Sequence, residues 1–410
     1  MRIPPLSVIV IGLSASLPAH CTAQTFQTIY QCGAYPDAQT PQGLLAEPDG
    51  TLVGVATNGG IYGYGAVFQL QPPSVPSGTW TESVVYSFAP QNGDGPYPVA
   101  SPAMRANGTL CGTTAYFSPT DGTVYEVRPP ATPHGSWTET VLFRSAGTGL
   151  QGSLISVVPG PHGEVFGTSG VGGYCGAVFE LTPPPLPGET YTESVISTTG
   201  CDPPGLAVAR NGTLYGVTVG GVDELPYLYG MVFALTPPSA SGGTWNTDII
   251  YSFSGGADGY QPSQPPVIGS DGVIYGTTSL GGSAGVGTVF SLAPPGKLGG
   301  AWTETTLYSL PDSALGAPSS ALLVRGGRIF GTTATTYSAS QGGSIFELRK
   351  PSAPGGPWTE TTLYQFPSGQ LPSGSLVLLK DGSVCGTTNS GYQPGLPTNS
   401  GMAYCISGIQ

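Results

Sequence analysis

Charge and histidine are scarce in this chain, and helical patterning is missing altogether. Charged residues make up 8% of the 410 positions, and 11 Lys+Arg against 23 Asp+Glu give a net charge of −12. No basic patch exists to neutralise phosphates, which argues against nucleic acid and anionic membrane surfaces as partners. Of the three histidines, His20 falls in an N-terminal leader, His134 in a Pro-Gly loop and His162 in a turn. Such a pair makes a poor nucleophile-and-base arrangement, and no Gly-x-Ser-x-Gly elbow accompanies it. Cys-x-x-Cys spacing is absent, which speaks against zinc. Beyond the leader no stretch approaches the ~18 apolar residues of a spanning helix, and the chain stops too soon after its last predicted strand for a C-terminal anchor.

The leader occupies residues 1–23. Arg2 is a minimal positive n-region, Leu6 to Leu17 an apolar h-region too short to span, and Cys21-Thr22-Ala23 a small-residue cleavage site. Cleavage after Ala23 removes Arg2 and leaves a mature chain, 24–410, of net charge −13. The predicted location is therefore secreted or periplasmic.

What the chain has in excess is glycine (65) and proline (42), together about a quarter of its length and near the level that suggests disorder. They recur in register with apolar segments, however, and so read as turns. One phrase returns seven times: Gly-Thr-Val-Ile/Leu-Tyr-Gly-Thr-Thr, a glycine loop, Gly-Thr-Val-Phe-x-Leu-x-Pro-Pro, then Trp-Thr-Glu-Thr-x-Leu-Tyr. Its opening glycines are Gly50, Gly108, Gly163, Gly212, Gly272, Gly327 and Gly382. A period of 49 to 60 residues marks a repeat array whose units bury their faces only against neighbours.

Each unit predicts four short antiparallel strands. The first ends in Asp-Gly, Asn-Gly, His-Gly or Gly-Gly, the chemistry of a two-residue hairpin with positive φ. The proline pairs fall between strands three and four, where a missing backbone donor costs nothing. The last unit lacks its fourth strand, and Thr25–Cys32 at the other end matches the register of Thr361–Phe366. The N-terminus is therefore expected to complete the last unit and remove the ring's open edge. These features predict an all-β fold: a seven-bladed β-propeller of four-stranded blades over residues 24–410, closed by the N-terminal strand.

At these motifs the chain resembles the GloVer (Gloeo/Verruco) tandem-repeat family of exported bacterial proteins, from Gly43 to Ile406. The resemblance implies an exported propeller and supplies no catalytic residues. The varied surface-anchoring tails of that family have no counterpart here.

Six cysteines follow the leader, an even number that permits disulfides in an exported protein. Adjacent-strand placement predicts Cys32–Cys405 as a clasp on the ring, and Cys175 and Cys201, in one repeat, are a second candidate pair. Cys111 and Cys385 stand in the tyrosine position of their repeats and read as buried thiols.

Residues that recur in most units read as structural. Trp80, Trp137, Trp245, Trp302 and Trp358, with Tyr191, open strand four and are expected to pack between blades. Glu82, Glu139, Glu193, Asp248, Glu304 and Glu360 follow them and are expected to cap or pair at the outer strand. Asp49, Asp271 and Asp381 are turn residues. Asn107-Gly108-Thr109 and Asn211-Gly212-Thr213 match the glycosylation acceptor, but turn geometry explains them equally well. Acids outside the repeat register, Asp94, Asp223, Glu224 and Asp258, lie in glycine-rich loops that admit calcium, although none has the spaced run of an EF-hand. No other cofactor is implied.

Strand-two-to-three loops and blade-to-blade connections should emerge on one face. They carry Tyr62, Tyr64, Tyr116, Phe117, Tyr174, Tyr227, Tyr229, Tyr337 and Tyr392 among glycine and serine. Tyrosines on polar loops are rigid amphipathic contact area, although they can equally cover blade edges. Arg105, Arg210 and Arg325 fall on the opposite face. The leading expectation is a non-catalytic, monomeric binding propeller for a carbohydrate or an extracellular protein. The alternatives are a polysaccharide lyase or hydrolase acting at the channel, and a purely structural envelope protein.

Overall fold

The computed structural model describes residues 24–33, 36–75, 78–115, 122–132, 135–146, 150, 153–171, 174–186, 190–198, 203–220, 229–240, 243–297, 299–311, 316–334, 342–353, 355–390 and 401–409. They form seven antiparallel sheets arranged as the blades of a propeller. Blade 1 runs outward through Ala38–Ala46, Leu52–Gly59, Ala66–Gln71 and Thr81–Ser87. Blades 2 to 6 repeat this order, with the innermost strand of blade 6 split into Ala317–Pro318 and Leu323–Arg325, and each outermost strand is the Trp-Thr-Glu-Thr segment or its counterpart. Blade 7 contains Leu371–Leu378, Val384–Ser390 and Met402–Ser407, with Thr25–Gln31 as its outer strand. Thr25 opposes Ser407 and Gln31 opposes Met402. The N-terminal strand thus closes the ring as its sequence register predicts.

The repeated phrase has a direct physical reading. In every blade the aromatic of Gly-Thr-Val-Phe lies across from the glycine of Leu-Tyr-Gly-Thr-Thr, as in Gly276↔Phe290 and Gly216↔Phe233. The ring covers that glycine so closely that a Cβ on Gly276 would stand 2.5 Å from Phe290 Cζ, and one on Gly216 would stand 2.3 Å from Phe233 Cζ. Phe68, Phe179, Phe233 and Phe290 are fully buried as a result. Their flanking Leu and Val residues fill the clusters that join each blade to the next.

The outer-strand tryptophans seal the same seams. Trp245 of blade 4 packs edge-on against Phe166 of blade 3 (5.5 Å), and Trp302 of blade 5 against Tyr215 of blade 4 (5.8 Å). This is the inter-blade packing expected of them. The first-hairpin acids and amides also act as turn residues. Asp49, Asn107, Asn211, Asp271 and Asp381 each accept a hydrogen bond from the backbone N–H two residues on.

Two expectations need correction. Cys405 is bonded to Cys385, directly opposite it on the neighbouring strand of blade 7, and Cys32 is a buried free thiol. The Cys32–Cys405 clasp fails because Cys405 opposes Gln27, while Cys32 lies at the other end of that strand, donating its N–H to Gly401 O. The register that makes Cys385 a core residue also puts it face to face with Cys405. Cys111, its counterpart in blade 2, is the buried free thiol expected. The Cys175–Cys201 pair lies outside the residues whose side chains are described. Asp248 also leaves its assigned group: Thr247 opposes Leu235 as Glu82 opposes Leu70, so Asp248 falls one residue later and is exposed.

Candidate functional site

Among the described residues, two regions offer surfaces beyond the repeated core. The first is on the loop face. In blade 1 the segment Gly59–Gly65 is a tight loop held by Gly63 N to Gly60 O, Gly65 N to Gly59 O and Ile61 N to Ser87 Oγ. Gly60, Gly63 and Gly65 all have φ between 70° and 106°, which L side chains rarely adopt. Blade 5 builds the same frame from Gly281–Gly287, with Gly285 N to Gly282 O, Gly287 N to Gly281 O and Ser283 N to Ser309 Oγ. The frames match but the tips differ. Blade 5 shows Ser283, Ala284 and Val286, whereas blade 1 shows Ile61, Tyr62 and Tyr64, exposed by 57%, 43% and 37%.

Tyr64 is steadied by the adjoining connection: its carbonyl accepts the Tyr97 N–H at 2.8 Å, and the two rings meet edge-on at 5.8 Å. The loops and blade connections therefore do meet on one face. Tyr229 occupies the matching place in blade 4, but it packs against Tyr260 at 5.6 Å and joins the core cluster there. Tyr174 lies in a strand whose side chains at that end are not described. Tyr116, Phe117, Tyr227, Tyr337 and Tyr392 lie outside the described residues, as do Asp223 and Glu224.

Asp94 and Asp258 serve their own loops. Asp94 Oδ2 accepts from Tyr86 Oη at 2.5 Å and Ala89 N at 3.1 Å. Asp258 Oδ2 accepts from Tyr251 Oη at 2.9 Å and Ser254 N at 2.8 Å, and its Oδ1 from Ser254 Oγ at 2.6 Å. Asp37 does the same with Tyr30 at 2.5 Å. A tyrosine near the end of an outer strand is thus latched to an aspartate in the connection that follows. These two acids belong to one repeating latch and are not off-register. Burial works to raise the Asp258 carboxyl, but the bonds from Ser254 and Tyr251 outweigh it and hold it below the ordinary carboxylate range.

Beside each of these latches stands a glutamate from the next blade, Glu304 in the case of Asp258. Burial, reinforced by Asp37, pushes Glu82 up to about 7, and burial reinforced by Asp94 does the same to Glu139. Glu82 Oε1 and Glu139 Oε1 are buried without a hydrogen-bond partner among the described residues.

The second region is on the opposite, turn-bearing face and was not legible as a site. A groove of about 1000 Å³ opens between blades 3 and 4, lined by His162, Glu164, Phe166, Glu180, Arg210 and Trp245 among others. A cavity of about 520 Å³ adjoins it and shares Arg210. The matching seam between blades 5 and 6, with Tyr275, Arg325 and Trp358 in the corresponding places, holds about 300 Å³. In the larger groove Trp245 Nε1 donates to Glu180 Oε2 at 3.3 Å. Burial raises the Glu180 carboxyl; the Trp245 bond opposes this and Glu164 adds to it. His162 is exposed, and its backbone N–H donates to Glu164 Oε2 at 2.9 Å.

The arginines of this face divide. Arg105 and Arg128 clamp buried Glu126 at 2.7 and 3.0 Å, and Arg328 and Arg349 clamp buried Glu347. Cys111 lies 3.8 Å from Glu126, and burial lifts its thiol to about 12.

The Gloeobacter/Verrucomicrobia repeat model matches residues 40–244 and 223–409. No curated protein sequence matches the chain. Among solved structures, a protein from Lactobacillus plantarum is similar at TM-score 0.56 and 12% identity, over 89% of this chain and 99% of its own. A fungal alcohol oxidase of the AA5 family, solved with copper, is similar at TM-score 0.55 and 16% identity, over 92% and 76%. PorZ, a surface component of the type-IX secretion system of Porphyromonas gingivalis, is similar at TM-score 0.52 and 12% identity, over 87% and 46%. At these identities the likenesses show the fold alone.

Proposed function

The chain belongs to the Gloeobacter/Verrucomicrobia repeat family, and from that premise we propose that it is an exported, non-catalytic propeller that binds a carbohydrate or protein partner through the blade 1 loop. The observation that carries this reading is the exposed Ile61-Tyr62-Gly63-Tyr64 tip on a glycine-pinned frame whose twin in blade 5 is blank. A rigid frame lowers the ordering cost of binding, and tyrosine rings give contact area with few rotamers to freeze. The rings suit a saccharide face. Ile61, the most exposed of the three, suits a protein.

Two features support export: the leader pattern over residues 1–23 and the Cys385–Cys405 disulfide, a bond that persists in oxidising compartments. The non-catalytic reading rests on what the loop aspartates do, since Asp94 and Asp258 are spent on the repeated latch. The test is a glycan array probed with residues 24–410, with released sugar measured in the same wells. Binding without release supports the saccharide reading. Release of sugar would replace it with an enzyme, and silence on the array would move the loop to a protein partner.

A further inference from the structure

The groove between blades 3 and 4 is an interrupted version of something the chain builds elsewhere. The strand-three position that follows the core aromatic is Glu126 in blade 2, Glu180 in blade 3 and Glu347 in blade 6. In blades 2 and 6 this glutamate is all but sealed, with 2% and 1% of its side chain exposed, and each is held by two guanidinium groups. One of the two comes from the same strand two residues on, Arg128 or Arg349. The other comes from the first hairpin, Arg105 before the turn or Arg328 after it.

Blade 3 lacks both. Thr182 stands where Arg128 and Arg349 stand, Gly160 where Arg105 stands, and Glu164 where Arg328 stands. A Cβ on Gly160 would meet the Glu164 carboxyl at 2.6 Å, so Glu164 folds over the place from which Arg105 reaches its glutamate. Two carboxylates therefore face the groove where the other blades hold one carboxylate and two guanidinium groups. Glu180 is bonded to the Trp245 indole and to the Thr182 side chain, neither of them a cation, and lies partly open to the groove.

We propose that this groove binds a guanidinium group, the arginine side chain of a peptide, between Glu164 and Glu180 and beside the Trp245 ring. The chemistry is the one blades 2 and 6 already display. In those blades planar forks donate to a sealed carboxylate, a geometry that an ammonium point charge does not reproduce. Trp245 adds an aromatic wall of the type that attracts cations. The net charge of −12 favours approach of a basic segment. Arg210 and His162 also line the groove; Arg210 is exposed and shared with the adjoining cavity, and His162 is exposed in the turn. This site is on the face opposite the blade 1 loop and stands or falls independently of it.

The test is titration of residues 24–410 with acetyl-Gly-Arg-Gly-amide, followed by calorimetry or NMR at low ionic strength. Saturable binding is expected. The lysine peptide should bind at least about fivefold more weakly, and the glutamine peptide not measurably. Glu180→Gln should weaken the arginine peptide by at least about fivefold. The double change Glu164→Arg with Thr182→Arg rebuilds the blade 6 clamp inside blade 3, and should abolish binding while leaving the melting temperature at or above that of the parent. Failure of the parent to bind the arginine peptide overturns the proposal. So do equal binding of the glutamine peptide and undiminished binding by either variant. Glu180→Gln keeps the test decisive if the double variant does not fold.

Discussion

Substituting Gly276 by alanine tests the physical meaning of the repeated phrase. Gly276 is not in a left-handed conformation, so alanine brings no backbone strain there. Its cost is packing: the new Cβ would stand 2.5, 2.8 and 3.2 Å from three atoms of the Phe290 ring. That ring is fully buried and meets Phe253 edge-on at 5.1 Å, so it has no free direction in which to swing. Overpacking of this kind costs about 1–3 kcal/mol. Glycine-to-alanine restriction of the unfolded chain returns about 0.4–1 kcal/mol, leaving a net loss centred on about 1.3 kcal/mol. Urea titration followed by tryptophan fluorescence measures it as a lower midpoint. Adding Phe290→Leu makes the assignment specific, because a shorter side chain relieves the contact. The double variant should then be less destabilised than the sum of the singles by about 1 kcal/mol. A midpoint that stays put or rises in Gly276→Ala, or strict additivity in the double variant, would refute the ring-over-glycine account.

Other outcomes follow from the same structure. Glu82 and Glu139 hold their protons up to about 7 when folded, against an ordinary 4.5, so the folded state binds more protons than the unfolded chain between those values. Stability should be fully present below about 4.5 and fall as pH rises through 7, and the double change Glu82→Gln with Glu139→Gln should flatten the melting temperature between pH 5 and 8. An unchanged slope would remove these two groups from the account. The Cys385–Cys405 bond closes a separation of 20 residues, so replacing both cysteines by serine should cost about 3 kcal/mol. Peptide mapping without reductant should recover that linkage, and a Cys32–Cys405 peptide would contradict it.

The fold was legible because repetition multiplies weak signals. A single Leu-Tyr-Gly-Thr-Thr is an ambiguous strand, but seven in register, with the missing outer strand found at Thr25–Gln31, leave one closed arrangement. The site was less legible, and for physical reasons. Asp94 and Asp258 look irregular when counted from the hairpin glycine. Counted from the preceding tyrosine they recur eight and seven residues on, as Asp37 does after Tyr30, and that spacing would have revealed the latch. The disulfide was missed because Cys385 and Cys405 each sit in a position where other blades carry a core residue or a strand-three side chain, and only the pairing register sets them opposite each other. The blade 3 groove is defined by substitutions, Thr182 and Glu164 in arginine places. It becomes visible only once Glu126 and Glu347 are seen clamped in their own blades.

The central claim is that the blade 1 loop is the contact surface, and transplanting its twin tests this most directly. Replacing Ile61-Tyr62-Gly63-Tyr64 by the Ser-Ala-Gly-Val of blade 5 removes the rings while keeping a frame the chain already uses. The measurement is affinity for the ligand identified on the array, with the melting temperature recorded alongside. The account predicts affinity lost by at least about tenfold at an unchanged melting temperature. Undiminished affinity in the folded transplant would contradict it.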